Sequence, residues 1–204
     1  MAKLYFRYGA MGSSKSANAL MTRFNYMERG CEVLLIKPAI DTRDYVVDEH
    51  GVKTTVVHSR IGLSAPVDVV NQDDSIIELL NNRRQSGEVN VVIVDECQFL
   101  TENQVEELQH IASYEDIPCM CFGLRTDFQT KLFPGSKRLM ELAGSIKEIN
   151  SICSCMDKAI VNARIDADGY IITDGDQVDI GGNDKYIAMC WRCWNDRIRK
   201  QKNL

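Results

Sequence analysis

Gly9-Ala10-Met11-Gly12-Ser13-Ser14-Lys15-Ser16 follows the apolar run Leu4-Tyr5-Phe6 and leads into a stretch with helical periodicity. Small residues let successive backbone N–H groups converge on an anion. Lys15 adds a mobile positive charge, and Ser16 offers a hydroxyl to Mg²⁺ at a helix N-terminus. This is the chemistry of a loop that cradles phosphate, and it predicts a bound nucleoside triphosphate. One position departs from the pattern G-x-x-x-x-G-K-[ST]: Ser14 stands where the second glycine belongs, so a Cβ sits where backbone and phosphate approach closely. A Gly/Ser turn ahead of a helix is the plain alternative.

A second group of chemical residues closes an apolar run, Val91-Val92-Ile93-Val94-Asp95-Glu96. In a P-loop sheet that strand end faces the nucleotide. Asp95 is then placed to hold Mg²⁺ directly or through water, and Glu96 to accept a proton from a hydroxyl or a water. The alternative is two acids exposed in a loop. The third group is Cys153-Ser154-Cys155 and Cys190-Trp191-Arg192-Cys193. Paired cysteines bracketing a short segment resemble a structural Cys₄ zinc site, with no open position for catalysis. The C-x-x-C half has the usual spacing. The C-x-C half is one residue short, so either it serves as it stands or one ligand lies elsewhere; reduced spectators or a redox pair are the other readings. Cys31, Cys97, Cys119 and Cys121 fall in or beside the expected core, where cysteine acts as a small hydrophobe.

The elements that must position these groups follow from periodicity. Strands are predicted at Lys3 to Phe6, Glu32 to Ile36, Val91 to Val94 and Pro118 to Phe122, with helical segments between them, which implies a parallel sheet covered by helices. The first helix is predicted over Lys15 to Arg29, with Ala17, Leu20, Met21 and Phe24 inward and Gly30 closing it. A second covers Asp73 to Arg84. A third starts at Thr101, where Thr101-Glu102-Asn103-Gln104 reads as a capping box and Val105, Leu108 and Ile111 form the buried stripe. A fourth spans Ser136 to Leu142. Residues 38 to 72 show no helix and are expected to form a mobile excursion with a hairpin tip at Asp48-Glu49-His50-Gly51. After about Ile149 the alternation stops, and short strands alternate with turns at Asp168-Gly169, Asp174-Gly175 and Gly181-Gly182. The chain therefore divides into residues 1–149, a nucleotide-binding domain, and 150–204, a small lobe with a C-terminal tail.

Composition constrains the partners. The chain has 204 residues, 26% of them charged, and a net charge of −5, so electrostatics give no reason to expect a nucleic acid or a membrane. Arg197, Arg199, Lys200 and Lys202 read as a solvated terminus. No apolar stretch approaches the ~20 residues that span a bilayer, and Met1-Ala2-Lys3 runs into a strand rather than a signal peptide, so a cytoplasmic protein is expected. Eight cysteines without an export signal argue for thiols or metal ligands.

Taken together, Gly9 to Ser16, Asp95-Glu96-Cys97-Gln98-Phe99, Gly123-Leu124-Arg125-Thr126-Asp127-Phe128-Gln129 and the cysteine pairs with Tyr186 between them resemble the zinc-containing, tetrameric, cytosolic type of thymidine kinase. Ile36-Lys37-Pro38-Ala39-Ile40-Asp41-Thr42-Arg43 and Ser59-Arg60-Ile61-Gly62-Leu63 match as well, the latter in the bacterial form. The resemblance covers essentially the whole chain. It implies a RecA-like P-loop domain and a zinc-anchored lobe whose lasso loop, 174 to 186, closes over the nucleoside. It implies ATP-dependent phosphorylation of the thymidine 5′-hydroxyl, with Glu96 as base, Lys15 on the phosphates, Ser16 and Asp95 organising Mg²⁺, and Arg60 stabilising charge at the transferring phosphoryl. It places Met11, Phe99, Leu124, Phe128 and Phe133 around the base, Val178 at the edge of thymine and Tyr186 beside the sugar. Thymidine triphosphate as feedback inhibitor and a homotetramer follow from the same resemblance. The family commonly has an aspartate ahead of Arg60, where this chain has His58-Ser59; His58 reads as a surface residue. A P-loop ATPase or GTPase switch and a zinc-ribbon binding module are the competing classes. No guanine-reading N-K-x-D is present for the first, and no basic stripe for the second.

Overall fold

The computed structural model describes residues 1–41, 45–47, 50–178 and 185–202. In chain order the elements are β1 (Leu4–Tyr8), α1 (Lys15–Met27), β2 (Val33–Pro38), β3 (Tyr45–Val47), β4 (Lys53–His58), β5 (Ser64–Pro66) and β6 (Asp68–Val70). There follow α2 (Ile76–Arg84), β7 (Val91–Val94), α3 (Glu102–Tyr114), β8 (Cys119–Gly123), α4 (Pro134–Leu142) and β9 (Ser145–Glu148). The last are β10 (Ser151–Ile152), β11 (Lys158–Ala159), β12 (Val161–Ile165), β13 (Ile171–Ile172), β14 (Tyr186–Met189) and α5 (Trp191–Lys202).

The apolar runs become a six-stranded parallel sheet in the order β6-β2-β7-β8-β1-β9. Its centre is buried on both faces, which is why β7 carries four apolar residues in a row, all at 0% exposure. The pleat divides them. Val92 and Val94 join Leu4, Phe6, Leu34, Ile36 and the inward stripes of α2, α3 and α4, whereas Val91 and Ile93 face Ala19 and Leu20 of α1 together with Val57 and Ala65. α3 starts on the expected capping box: Gln104 N–H donates to Thr101 Oγ1 at 3.2 Å and Thr101 N–H to Gln104 Oε1 at 3.1 Å. The α/β class is as the sequence predicts.

Four expectations change. Met21 and Phe24 are 44% and 58% exposed; the buried residues of α1 are Ala17, Ala19 and Leu20, of which Ala19 and Leu20 pack on the sheet. Between residues 38 and 72 the described residues hold no helix, as expected, but more strand than the sequence shows: β3, β4 and β5 form an antiparallel sheet and β6 adds an edge to the main sheet. These strands are three to six residues long, too short for a periodicity signal. The register Val47 to Lys53 fits a hairpin, although Asp48 and Glu49 of its expected tip lie outside the described residues, as do Thr42 and Arg43. Ser145–Glu148, unassigned from sequence, is a sixth strand beside β1.

The fourth correction concerns the C-terminus. Arg197, Arg199, Lys200 and Lys202 are in α5; Arg199, Lys200 and Lys202 are exposed, as a solvated terminus requires, but the segment is a helix and not a loose tail. Trp194 and Ile198 pack on a small cluster of Cys153, Ala159, Ala163, Ile171, Met189 and Cys190. Gln201 exchanges two hydrogen bonds with the Ile171 backbone at 2.8 and 3.2 Å, and Arg197 donates to the Gly169 carbonyl. The Gly181-Gly182 turn lies outside the described residues.

Candidate active site

The carboxyl ends of β1, β7 and β8 converge on one edge of the sheet, where open α/β sheets bind ligands. Leaving β1, the chain turns back into α1 through Gly12 at φ 76° and Ser14 at φ 62°, ψ 33°. Gly9 is required by packing, since a Cβ there would lie 2.3 Å from the Ile149 carbonyl oxygen. Lys15 Nζ donates to the Ala10 carbonyl at 3.0 Å. Burial pushes its ammonium below the usual lysine range, with the carboxylates of Glu96 and Asp95 opposing that shift.

Ser14 occupies the left-handed region that glycine would occupy without cost. Its side chain makes no capping hydrogen bond; only its carbonyl is used, by Asn18. Ser14→Gly should therefore raise stability by about 1 kcal/mol, a rise in Tm of about 2–4 °C for a chain of this size. Phosphate-donor binding should be preserved. Calorimetric unfolding of the two proteins checks this.

Asp95 is 4% exposed and accepts a hydrogen bond from the Ser16 hydroxyl. Burial and the neighbouring Glu96 carboxylate push its carboxyl up to about 7, against that hydrogen bond and the charge on Lys15. Hydroxyl and carboxylate oxygens side by side are the hard donors Mg²⁺ prefers. Glu96 has left-handed backbone, φ 52°, ψ 36°, strain of the kind that turns a side chain out of its strand direction. Gln98 holds it: Nε2 donates to Glu96 Oε2 at 2.6 Å while Oε1 accepts Leu124 N–H at 2.9 Å. Gly123 leaves room for that amide, since a Cβ there would come within 2.5 Å of Gln98 Oε1.

These groups border a cavity of about 300 Å³. Its wall includes Met11, Gly12, Ser14, Lys15, Ser16, Asp95, Glu96 and Arg60, together with Phe99, Leu124, Phe128, Phe133, Val178 and Tyr186. Gly9, Ala10 and Ser13 are buried behind that wall and shape the loop without lining the space. Phe99 meets Phe133 edge-on, ring centroids 5.6 Å apart, and the Arg164 guanidinium lies 5.3 Å from the centre of the Phe128 ring. His58 is exposed and reaches the rim.

Sequence reasoning gave no role to three polar residues here. Gln98 lies inside a quoted motif, and its signal was an amide in an otherwise apolar turn. Asn162, 3% exposed within Val161-Asn162-Ala163, accepts Met11 N–H at 2.8 Å and donates to the Thr126 carbonyl at 2.8 Å, joining β12 to the phosphate loop and the wall. Asp127 is the third. Its Oδ1 accepts Gln129 and Lys131 N–H, and its Oδ2 accepts Gln177 Nε2 at 2.8 Å, tethering the start of the 174 to 186 segment. Residues 179–184 of that segment lie outside the described residues.

Away from the cavity, the sulfurs of Cys153, Cys155, Cys190 and Cys193 all lie within 4.8 Å of one another, with Cys155 and Cys190 3.6 Å apart. Thiolates at ~2.3 Å from a tetrahedral Zn²⁺ would stand ~3.8 Å apart, so donor set and span fit a structural metal site. The C-x-C pair joins the C-x-x-C pair without a fifth residue. None of the helices, among the described residues, is long and apolar enough to cross a membrane.

Comparison with known proteins finds one family over nearly the whole chain. The family model for thymidine kinase matches residues 2–194. The chain is 42% identical over 202 residues to the thymidine kinase of Photorhabdus laumondii, covering 99% of this chain and 96% of that one. It is 42% identical over 198 residues to that of Zymomonas mobilis, covering 97% and 98%. With the thymidine kinase of Enterobacteria phage T4 it shares 40% over 200 residues, covering 98% and 99%. The chain belongs to the thymidine kinase family.

Proposed function

We propose that this protein transfers the γ-phosphoryl group of ATP to the 5′-hydroxyl of thymidine, giving thymidine monophosphate and ADP. The observation that carries the reading is one cavity whose wall holds both charged groups, Lys15, Arg60, Asp95 and Glu96, and aromatic ones, Phe99, Phe128 and Phe133. A flat, neutral base suits the second, and a triphosphate suits the first.

Glu96, turned toward the cavity and held by Gln98, takes the proton of the 5′-hydroxyl as its oxygen bonds to the γ-phosphorus and the bond to the ADP oxygen breaks. The backbone N–H groups of Gly12 to Ser16 and the Lys15 ammonium hold the phosphates, and Arg60 meets charge on the transferring group. Mg²⁺, held by Ser16 and Asp95, would neutralise phosphate charge when bound. Met11, Leu124, Val178 and Tyr186 complete the nucleoside wall.

We assign Zn²⁺ to the four cysteines as the structural ion of a second domain, residues 150–204, which carries the lasso; residues 1–149 form the phosphate-binding domain. A homotetramer, a cytoplasmic setting and inhibition by thymidine triphosphate belong to the same reading. The exposed apolar face of α1, Met21, Phe24 and Met27, supports burial between copies. ADP release measured with and without thymidine tests the reaction. It should require the nucleoside, and equal release without it would make the protein a hydrolase.

A further inference from the structure

Lys37, next to last in β2, has only 1% of its side chain exposed. Its ammonium lies 3.2 Å from the Val56 carbonyl oxygen and 3.6 Å from Asp41 Oδ2. Burying an ammonium is costly unless partners replace its water, and a methionine would fill the same space without that cost. Both charges border the cavity, yet the phosphoryl-transfer scheme gives neither of them a task.

What the pair touches suggests the task. Val56 belongs to β4, and β4 belongs to the antiparallel sheet β3-β4-β5, which among the described residues shares no strand pairing with the six-stranded sheet and is joined to it on the far side through Val67, whose N–H donates to the Thr55 carbonyl at 3.2 Å. Lys37 supplies a polar tie across that gap, beside the apolar contact of Val57 with Leu20 and Leu35. β4 runs directly into the turn that bears Arg60. That turn is tightly bonded: Ser59 N–H donates to the Leu63 carbonyl at 2.8 Å, Leu63 N–H to Ser59 Oγ at 2.9 Å, and Gly62 N–H to the Ser59 carbonyl at 3.0 Å. A shift of β4 therefore carries that turn with it, and Arg60 meets the Gly9–Ser16 loop beside Gly12, where an added Cβ would lie 3.6 Å from Nη1.

We propose that Lys37, paired with Asp41, is a positioning residue: it pins β4 at Val56 and so sets where Arg60 meets the phosphates. The proposal rests on the reading of Arg60 as a phosphoryl-stabilising residue. Four variants test it, Lys37→Met, Arg60→Ala, the double variant Lys37→Met/Arg60→Ala, and Lys37→Met/Asp41→Leu, in which both buried charges of the pair are removed. Each is measured for kcat, for KM of ATP and thymidine, and for Tm.

Arg60→Ala should lower kcat by about 10²–10³-fold. Lys37→Met should lower it by about 10–100-fold with KM for thymidine unchanged, since small misplacements of a reacting group cost that much. The double variant should be no slower than Arg60→Ala, because no guanidinium remains to be misplaced. A purely structural lysine would instead give multiplying losses, which would overturn the proposal, as would wild-type kcat in Lys37→Met. Should Lys37→Met melt at the assay temperature, Lys37→Met/Asp41→Leu, alone and combined with Arg60→Ala, carries the same comparison. Full activity in Arg60→Ala alone would show that the reading of Arg60 fails, and the positioning role with it.

Discussion

Glu96→Gln lowers kcat by about 10²–10⁴-fold, the usual worth of a positioned general base, and leaves KM for thymidine and ATP near wild type. The substitution is nearly isosteric. An amide oxygen still accepts the Gln98 hydrogen bond, so the side chain keeps its place and its strained backbone keeps its support. What disappears is the capacity to take a proton as the 5′-hydroxyl attacks, a need that arises only in the transition state, and a loss confined to kcat is its signature. Zinc content and Tm should match the wild type. Steady-state kinetics with both substrates varied check this, and retained kcat would remove Glu96 from the mechanism.

Loss of the metal should have the other large effect. Among the described residues the small cluster holding β12, β13, β14 and α5 contains six buried side chains, two of them cysteines. So little apolar surface is a poor match for the conformational entropy of the segment. Structural zinc binding contributes ~10–16 kcal/mol in small zinc domains, so the thiolate cluster is the main candidate for what holds this part together. Cys190→Ser, or extraction with a strong chelator, should lower Tm by about 10 °C or more. Activity should fall with it, because Asn162, Gln177, Val178 and Tyr186 reach the cavity from this part of the chain. Metal analysis by mass spectrometry should give one zinc per chain in the wild type. Full activity in a zinc-free protein would contradict the role given to the ion.

The sequence made legible what short-range chemistry decides. Gly9 to Ser16, the carboxylates after β7, the Thr101 capping box and the paired cysteines each announce themselves within a few residues; the capping box and the cysteine cluster form as their residues imply, whereas the left-handed backbone at Glu96 has no signal in the sequence. The class of fold followed from apolar runs long enough to show a period. Contacts made across the chain were not legible. Asn162 and Met11 are 151 positions apart, and Gln177 and Asp127 are 50 apart; no local pattern joins them. α5 is hidden in the sequence because Arg197, Arg199, Lys200 and Lys202 mask a face that Cys193, Trp194 and Ile198 commit to the cluster. The inward assignment of Met21 and Phe24 failed because helical spacing alone does not say which of two adjacent stripes meets the sheet.

The most direct measurement is product formation from ATP, Mg²⁺ and each of the four common deoxynucleosides, read by chromatography of the nucleoside monophosphates. The cavity and the family together predict thymidine monophosphate from thymidine and no product from deoxyadenosine, deoxyguanosine or deoxycytidine. Monophosphate from another nucleoside in preference to thymidine, or none from any while ATP is consumed, would contradict the assignment.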